Sequence, residues 1–248
     1  GAGYWTNDAA SAGGKGGGTV LLLVGGTLHL DAGAAIEAGG GAGTDTTATT
    51  GGGGGAGGSV QIHASVINGT GTVSADGGRG GDCGTTKAAG GGGGGGRVAV
   101  HCAQLDGRVR ISAVGGSAGA GHMSDASFPP AQRAAPGTIF RAVGAHRSLL
   151  VVQNASLFAD VSSADVPVTA SGADSLALDA LSVVGARLQL TSTLSTATVS
   201  AVSSDLHTAL PLNASGDVRL TSTTWTAVGS VTAGQLVLSA GSMLSAQA

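Results

Sequence analysis

The feature that most constrains this chain is a set of glycine-rich tracts that recur at nearly regular intervals. The tracts lie at 39–43, 51–58, 77–81, 90–96 and 115–121, with a few interruptions. Among them lie apolar stretches that open Gly-x-Val-x-(Leu/Ile/Val), at Gly18, Gly58 and Gly96, and in degenerate form at Gly137. Because these openings are about 40 residues apart, the sequence predicts a row of similar units stacked on one another.

The apolar stretches have the alternation of β-strands. Hydrophobic residues recur at every second position, and a second short stretch of the form (Ile/Val)-x-Ala precedes a double glycine in each unit. Period-two alternation bounded by glycine indicates strands rather than helices. Stacked in register, the strands would form two inward-facing ladders. The first ladder is Val20, Val60, Val98 and Ile139, and the second is Leu22, Ile62 and Val100.

The composition favours a folded chain with a thin core. Glycine accounts for 48 of 248 residues and aromatic residues for 2%, while 42% of residues are hydrophobic and the net charge is −3. Disordered chains are usually poorer in apolar residues and richer in net charge. Because aromatic residues are so few, the core must consist of small aliphatic side chains, which suits many thin layers.

The glycine tracts allow two interpretations. Isolated polyglycine is a flexible linker, so the tracts could be mobile surface loops. Since they recur at the same place in each unit, stacking the units also stacks the tracts, and side-chain-free chains can approach closely enough to hydrogen-bond to one another. We expect ordered, mutually paired glycine arms.

The second half of the chain changes character. Prolines interrupt the pattern at Pro129, Pro130 and Pro136, and glycine becomes scarce after about residue 147, while short β stretches continue. The sequence therefore predicts an all-β chain, a parallel β-helix or β-solenoid with polyglycine arms over 1–145. It predicts continuing β-helix coils with few glycines over 146–248, with a separate β-sandwich as the alternative for that half.

Charge and hydropathy exclude two classes of partner. Eleven Lys and Arg residues spread over the chain make no basic stripe for nucleic acid. The longest apolar stretch, 20–24, is too short to insert into a membrane. The chain begins and ends within its own pattern, so we expect it to be an internal piece of a longer protein.

Two cysteines and three sequons predict a secreted glycoprotein. Cys83 and Cys102 bracket one glycine-rich loop, and in a secreted chain they are predicted to form a disulfide. Two independent buried thiols are the alternative. The sequons begin at Asn68, Asn154 and Asn213 and are N-glycosylation acceptors in the secretory pathway.

The motif Gly-Gly-x-Val-x-(Ile/Val), then Gly-x-(Val/Ile)-Ser-Ala-x-Gly-Gly, then polyglycine, is best preserved at 58–78 and 90–116. It resembles the glycine-rich β-helix regions of very large cell-surface and extracellular-matrix proteins. The alanine and glycine bias is also similar to secreted fibre and wall proteins of green algae, such as flagellar hairs. The resemblance covers residues 1–145 and implies a structural or adhesive role.

Parallel β-helices also carry polysaccharide lyases and hydrolases, which need clustered carboxylates. The 14 Asp and Glu residues of this chain are scattered, so no catalytic residues, cofactor or metal site are predicted. His63 and His101 occupy equivalent strand positions and could lie within ~5 Å, as a metal-binding pair or as two ordinary imidazoles. Two Thr-Ser-Thr pieces, at 191–193 and 221–223, suggest an ice-binding face or simply β-propensity.

The sequence thus predicts an extracellular structural module rather than an enzyme. We expect a rigid rod, spacer or fibre subunit of a larger surface glycoprotein, in contact with neighbouring domains or other copies. The alternatives are an ice- or carbohydrate-binding adhesion module and a degenerate polysaccharide-active enzyme.

Overall fold

The computed structural model describes residues 11–46, 50–84, 88–121, 134–152, 165–168 and 175–246. Within these ranges the only regular secondary structure is β-strand, which confirms the all-β prediction. No helix long and apolar enough to cross a membrane occurs in the described part of the chain. The chain divides into two compact units, Gly1–Ile139 and Phe140–Ala248.

The first unit contains three sheets that each take one strand from successive stretches of the chain, which we call segments one (18–57), two (58–95) and three (96–137). The strands are β1 (Thr19–Leu23), β2 (Thr27–Leu30), β3 (Ala35–Glu37), β4 (Ser59–His63), β5 (Val66–Gly69), β6 (Thr72–Ser74), β7 (Arg97–Cys102), β8 (Gln104–Leu105) and β9 (Arg110–Ser112). The sheets run β1-β4-β7, β2-β5-β8 and β3-β6-β9, and their strands are parallel.

The register of the first sheet places the predicted ladders side by side. Val20 pairs with Val60 and Val60 with Val98, while Leu22, Ile62 and Val100 form the second row. The members of segments two and three are at most 1% exposed. Because a strand turns alternate side chains to opposite faces, Gln61 and His63 lie on the outer face.

The glycine tracts are ordered and hydrogen-bonded to one another. In segment two, 75–83 forms an outgoing arm and 88–96 a return arm, and the last residue of each return arm is the first residue of the next segment. Between them Gly96 N donates to Ala75 O at 2.7 Å, Gly93 N to Gly78 O at 2.9 Å, and Gly90 N to Gly81 O at 2.9 Å. The bonds recur every third residue, which is the period of the polyproline II helix. Segment one has the same pairing between its outgoing arm, 38–46, and its return arm, 50–58.

Arms of successive segments are also joined to one another. The outgoing arm of segment two donates to that of segment three, 113–121, from Gly77, Gly80 and Cys83, each at 2.9 Å. The return arm of segment one donates to that of segment two from Gly51, Gly54 and Gly57, at 2.7 to 3.0 Å. The arms are therefore a lattice of backbone hydrogen bonds, and mobile surface loops are excluded for these residues.

Most of the glycines that face a neighbouring arm have no room for a side chain. A Cβ atom added at Gly78 would overlap the carbonyl of Gly41 in the preceding segment, and one added at Gly77 would overlap Gly93 O in the facing arm. The third position faces away from both neighbours, and there the chain has side chains. In the outgoing arm of segment two these are Asp76, Arg79 and Asp82.

Strand β10 (Thr138–Val143) crosses the boundary between the units, and the rest of the described chain beyond it belongs to the second unit. The further strands are β11 (His146–Val152), β12 (Asp165–Val168), β13 (Ser175–Val184), β14 (Arg187–Leu190), β15 (Thr193–Val202), β16 (Asp205–Thr208), β17 (Leu212–Ala214), β18 (Asp217–Thr221), β19 (Thr224–Ala227), β20 (Val231–Thr232), β21 (Gln235–Ser239) and β22 (Met243–Ala246).

The second unit is built from two parallel sheets whose strands alternate along the chain. One sheet takes β11, β13 and β15, followed by the pairs β17/β18 and β20/β21, and the other runs β12-β14-β16-β19-β22. From β13 and β14 onward, paired residues are 18 or 19 apart in sequence, as with Arg187 and Asp205, or Asp205 and Thr224. Inward rows such as Leu188, Leu206 and Trp225 are at most 4% exposed.

Candidate functional site

The outgoing arms carry a row of polar side chains on the face that points away from the lattice. Asp45, Arg79 and Asp82 keep 61%, 42% and 40% of their side-chain surface exposed. Arg79 Nη2 lies 2.9 Å from Asp45 Oδ1 in the preceding segment, and its Nη1 pairs with Asp82. The guanidinium therefore bridges two successive segments.

The carboxylates of this row satisfy backbone amides that the lattice leaves facing outward. Asp45 Oδ1 accepts from Asp82 N at 2.7 Å, and Asp82 Oδ1 accepts from Ala120 N at 2.6 Å. The hydrogen bond from Ala120 N and then that from Arg79 lower the pKa of Asp82. Each carboxylate thus binds the arm of the following segment.

Asp76 repeats this arrangement at the base of the arm. Its Oδ1 accepts from Val114 N at 2.8 Å and from Ser112 Oγ at 2.6 Å. Asp45, Asp76 and Asp82 are therefore structural ties between arms. The sequence signal for this role is the three-residue spacing Asp76-x-x-Arg79-x-x-Asp82, which differs from the clustering expected of catalytic carboxylates.

His63 and His101 stack as the strand positions predicted. Their ring centroids are 4.4 Å apart and the ring planes differ by 3°. Burial, and then the charge of His63, lower the pKa of His101. The lone pairs of ring nitrogens lie in the ring plane, so two parallel rings do not direct them to one point. This geometry fits a neutral ring stack better than a shared metal ion.

Cys83 and Cys102, predicted to form a disulfide, are not bonded to each other in this structure. Cys83 lies near the tip of the outgoing arm, beyond the Gly81–Gly90 hydrogen bond, whereas Cys102 ends β7. The arm from Ala75 to Cys83 extends ~25 Å at the rise of a polyproline II helix. A disulfide requires Cα atoms within about 7 Å, so the arm separates the two cysteines. Burial raises the pKa of the Cys102 thiol.

Two of the three sequon asparagines lie in strands. Asn68 is in β5, half-buried, and its Oδ1 lies 2.6 Å from His29 Nδ1 in the preceding segment. Asn213 is exposed in β17, and its Oδ1 accepts from Thr232 Oγ1 at 2.6 Å. Asn154 lies outside the described residues. Glycosylation at these three positions stays a prediction.

The second unit has a shallow polar notch of about 330 Å³ on its β14-β16-β19 sheet. Its polar lining is Arg187, Gln189, Asp205, His207 and Thr226. Arg187 Nε and Asp205 Oδ2 are 3.6 Å apart. Trp225 in the same sheet is fully buried on the opposite face, with Nε1 donating to Thr208 Oγ1 at 3.1 Å. The notch therefore has hydrogen-bonding groups but no aromatic platform from that residue.

The Thr-Ser-Thr pieces do not form a flat row of hydroxyls. Ser192 and Thr223 are buried, at 8% and 1% exposure. Thr223 Oγ1 donates to the carbonyl of Thr221 at 2.9 Å. In the second piece the central serine is therefore exposed and the last threonine points inward, so the regular outward array of an ice-binding face is not built from these residues.

Comparison with protein-family models, with curated proteins and with solved structures finds no match to this chain.

Proposed function

We propose that the chain is an extracellular structural module, a parallel β-solenoid with polyglycine arms that serves as a rigid rod, spacer or fibre subunit of a larger surface glycoprotein. The observation that carries this proposal is the arm lattice, in which backbone hydrogen bonds join each arm to its partner arm and to the arms of neighbouring segments. A lattice of this kind resists bending of one segment against the next, since bending would break several bonds together.

The in-register parallel strands support the same role. Val60 pairs with Val20 and Val98, its equivalents in the adjacent segments, which is the arrangement of proteins that extend in one dimension. Small side chains and side-chain-free arms build a stiff structure from little material. The carboxylate ties of Asp45, Asp76 and Asp82 add lateral links between segments.

Cryo-electron microscopy of the native assembly that carries this chain tests the proposal. We expect strands stacked at ~4.8 Å along one axis, continuous density for the glycine arms, and glycan density at the sequons. A discrete particle with an open acidic cleft would contradict the structural role and would direct attention to polysaccharide cleavage. Secretion is tested separately by treating the secreted chain and its Asn213→Gln variant with a glycosidase. A loss of mass in the wild-type chain that is smaller in the variant would show a glycan on Asn213.

A further inference from the structure

The polar notch of the second unit lies on two outward rows of one sheet. Gln189, His207 and Thr226 are partners in the registers of β14, β16 and β19, so they form one row across the strands. Arg187 and Asp205 form the row two residues earlier. Such rows are ~7 Å apart along a strand, and neighbouring strands are ~5 Å apart. The five side chains therefore surround an area about the size of a small polar molecule.

The polar side chains of the notch are less engaged than those of other outward faces. Within the described parts of the chain, the carboxylate of Asp205, the carboxamide of Gln189 and the imidazole of His207 make no hydrogen bond. Outward polar side chains of other sheets are hydrogen-bonded in pairs, namely His29 with Asn68, Gln61 with His63, and Asn213 with Thr232. The notch thus keeps donors and acceptors available to a ligand.

The ion pair of the notch is loose. Arg187 Nε and Asp205 Oδ2 are 3.6 Å apart, which is too long for a hydrogen bond. In the other sheet, Arg219 Nη2 and Asp217 Oδ2 of β18 are 2.7 Å apart. The side chains of Arg187 and Asp205 are 43% and 44% exposed, so both can reach a bound molecule. Because their charges offset each other, the notch does not favour a ligand of either sign.

An uncharged ligand with several hydroxyl groups fits these features. A hydroxyl group donates one hydrogen bond and accepts two, so neighbouring hydroxyls of one ring can donate to Asp205 and accept from Gln189. The volume of about 330 Å³ is at the lower end for small-molecule sites and suits one or two sugar rings. Since Trp225 is buried on the opposite face, recognition there depends on hydrogen bonds and not on stacking against its ring.

We propose that the notch binds a neutral saccharide, with Asp205, Gln189 and His207 as its hydrogen-bonding residues. The inference goes beyond the structural role, because the notch does not depend on the arms of the first unit. Hydrogen bonds that replace hydrogen bonds to water contribute little net affinity each, so a single notch binds weakly. Many copies displayed on one surface raise the binding through avidity, which attaches a surface module to polysaccharide.

A glycan microarray that displays neutral, sulfated and uronic-acid oligosaccharides tests the class of ligand. The probe is the biotinylated 248-residue chain, clustered on streptavidin to add avidity. We expect neutral glycans to bind. The best of them is then titrated into isotope-labelled chain, and the NMR signals of amides in β14, β16 and β19 are expected to shift. Failure to bind any neutral glycan, binding of charged glycans alone, or shifts confined to other strands would overturn the proposal.

Two variants test the residues of the site. Asp205→Ala and Gln189→Leu are each expected to lower the affinity by about fivefold or more, the loss of one net hydrogen bond. Gln189→Leu keeps the size of the side chain and leaves the Arg187–Asp205 pair in place, so it stays informative if Asp205→Ala destabilises the sheet.

Asp217→Ala is the matched control, since Asp217 also begins a strand and pairs with an arginine, but in the other sheet. We expect it to leave the affinity unchanged. Unchanged affinity in both notch variants, or an equal loss in Asp217→Ala, contradicts the assignment of the site. Slow amide exchange in the arms of the first unit reports on the structural module separately, so the two proposals can fail independently.

Discussion

Within the arms, the place of a residue in its triplet decides which side chain it can have. Two positions face other arms at backbone contact distance, and the third faces away. Neighbouring glycines of one arm therefore differ greatly in whether they can be replaced by a residue with a side chain. Gly93 and Gly94 are adjacent in the return arm of segment two and represent the two kinds.

Gly93→Ala is expected to destabilise the chain by about 1–3 kcal/mol, because the new methyl group would overlap Gly55 of the preceding segment. Gly94→Ala is the matched control. A Cβ there has its nearest neighbour, Ala135 O, at 4.0 Å, so the change is expected to be neutral or slightly stabilising through the unfolded chain. Urea denaturation of both variants measures the difference, and equal effects would contradict the lattice.

Two histidines are expected to give opposite pH dependence of stability. Burial, and then His63, lower the pKa of His101, so its neutral form is favoured by folding and the protein loses stability as pH falls through 6.5. Hydrogen bonds that the ring of His29 makes to Asn68 Oδ1 and Asp31 Oδ1 raise the pKa of His29. Its contribution is complete below pH 6.5 and is lost as pH rises through the folded value.

Urea midpoints between about pH 5 and 8 measure these contributions. His101→Gln is expected to flatten the acid side of the profile, and His29→Gln to flatten the neutral side. Measurements stay above about pH 4.5, because Asp106, whose pKa Arg108 lowers to about 2, adds a separate loss below that range. Identical profiles for the two variants would show that neither histidine is linked to folding as the structure indicates.

At the scale of elements, the strands of the first unit could be predicted because two signals coincide. Hydrophobic residues at every second position mark the inward side chains, and glycines mark the ends of the strands. The ladders that begin at Val20 and Leu22 could therefore be aligned from the sequence. The triplet order of the arms could not be found by looking for glycine alone. It depends on hydrogen bonds between distant segments, and only the spacing of Asp76, Arg79 and Asp82 reveals it.

The pairing of the second unit was harder to predict for a physical reason. Inward positions there include Thr196, Thr208 and Thr223, which are buried and hydrogen-bonded. These residues interrupt the apolar alternation that marks a strand. The similar pieces at 187–190 and 235–238 lie in different sheets, so their likeness did not give the register.

Amide exchange is expected to follow a period of three along the outgoing arm of segment two. Gly77, Gly78, Gly80 and Gly81 donate hydrogen bonds within the lattice, whereas Asp76 and Arg79 have no acceptor among the described residues. Hydrogen exchange followed by NMR should find the four glycine amides slow and the other two fast. Uniformly fast exchange of all six would mean that the arm is not paired in solution.

At the scale of the whole molecule, parallel pairing between successive segments makes stability a sum of neighbouring contacts. Strand β4 pairs with β1 and β7, and the second unit has its own rows of buried side chains. A destabilising substitution in one segment is therefore expected to unfold the adjacent segments before distant ones. A globule with one shared core would lose its structure throughout.

Val98→Asp is expected to separate these two possibilities. Val98 is 1% exposed between Val60 and the following strand, and an unpaired charge there costs several kcal/mol. Amides of β4 and β7 are expected to lose protection from hydrogen exchange, while those of β15 and β18 in the second unit keep theirs. Ala99→Asp places the same charge on the outer face one residue later and should change little. Loss of protection throughout both units in Val98→Asp would show that the chain folds as one cooperative body, which a stack of neighbouring contacts does not predict.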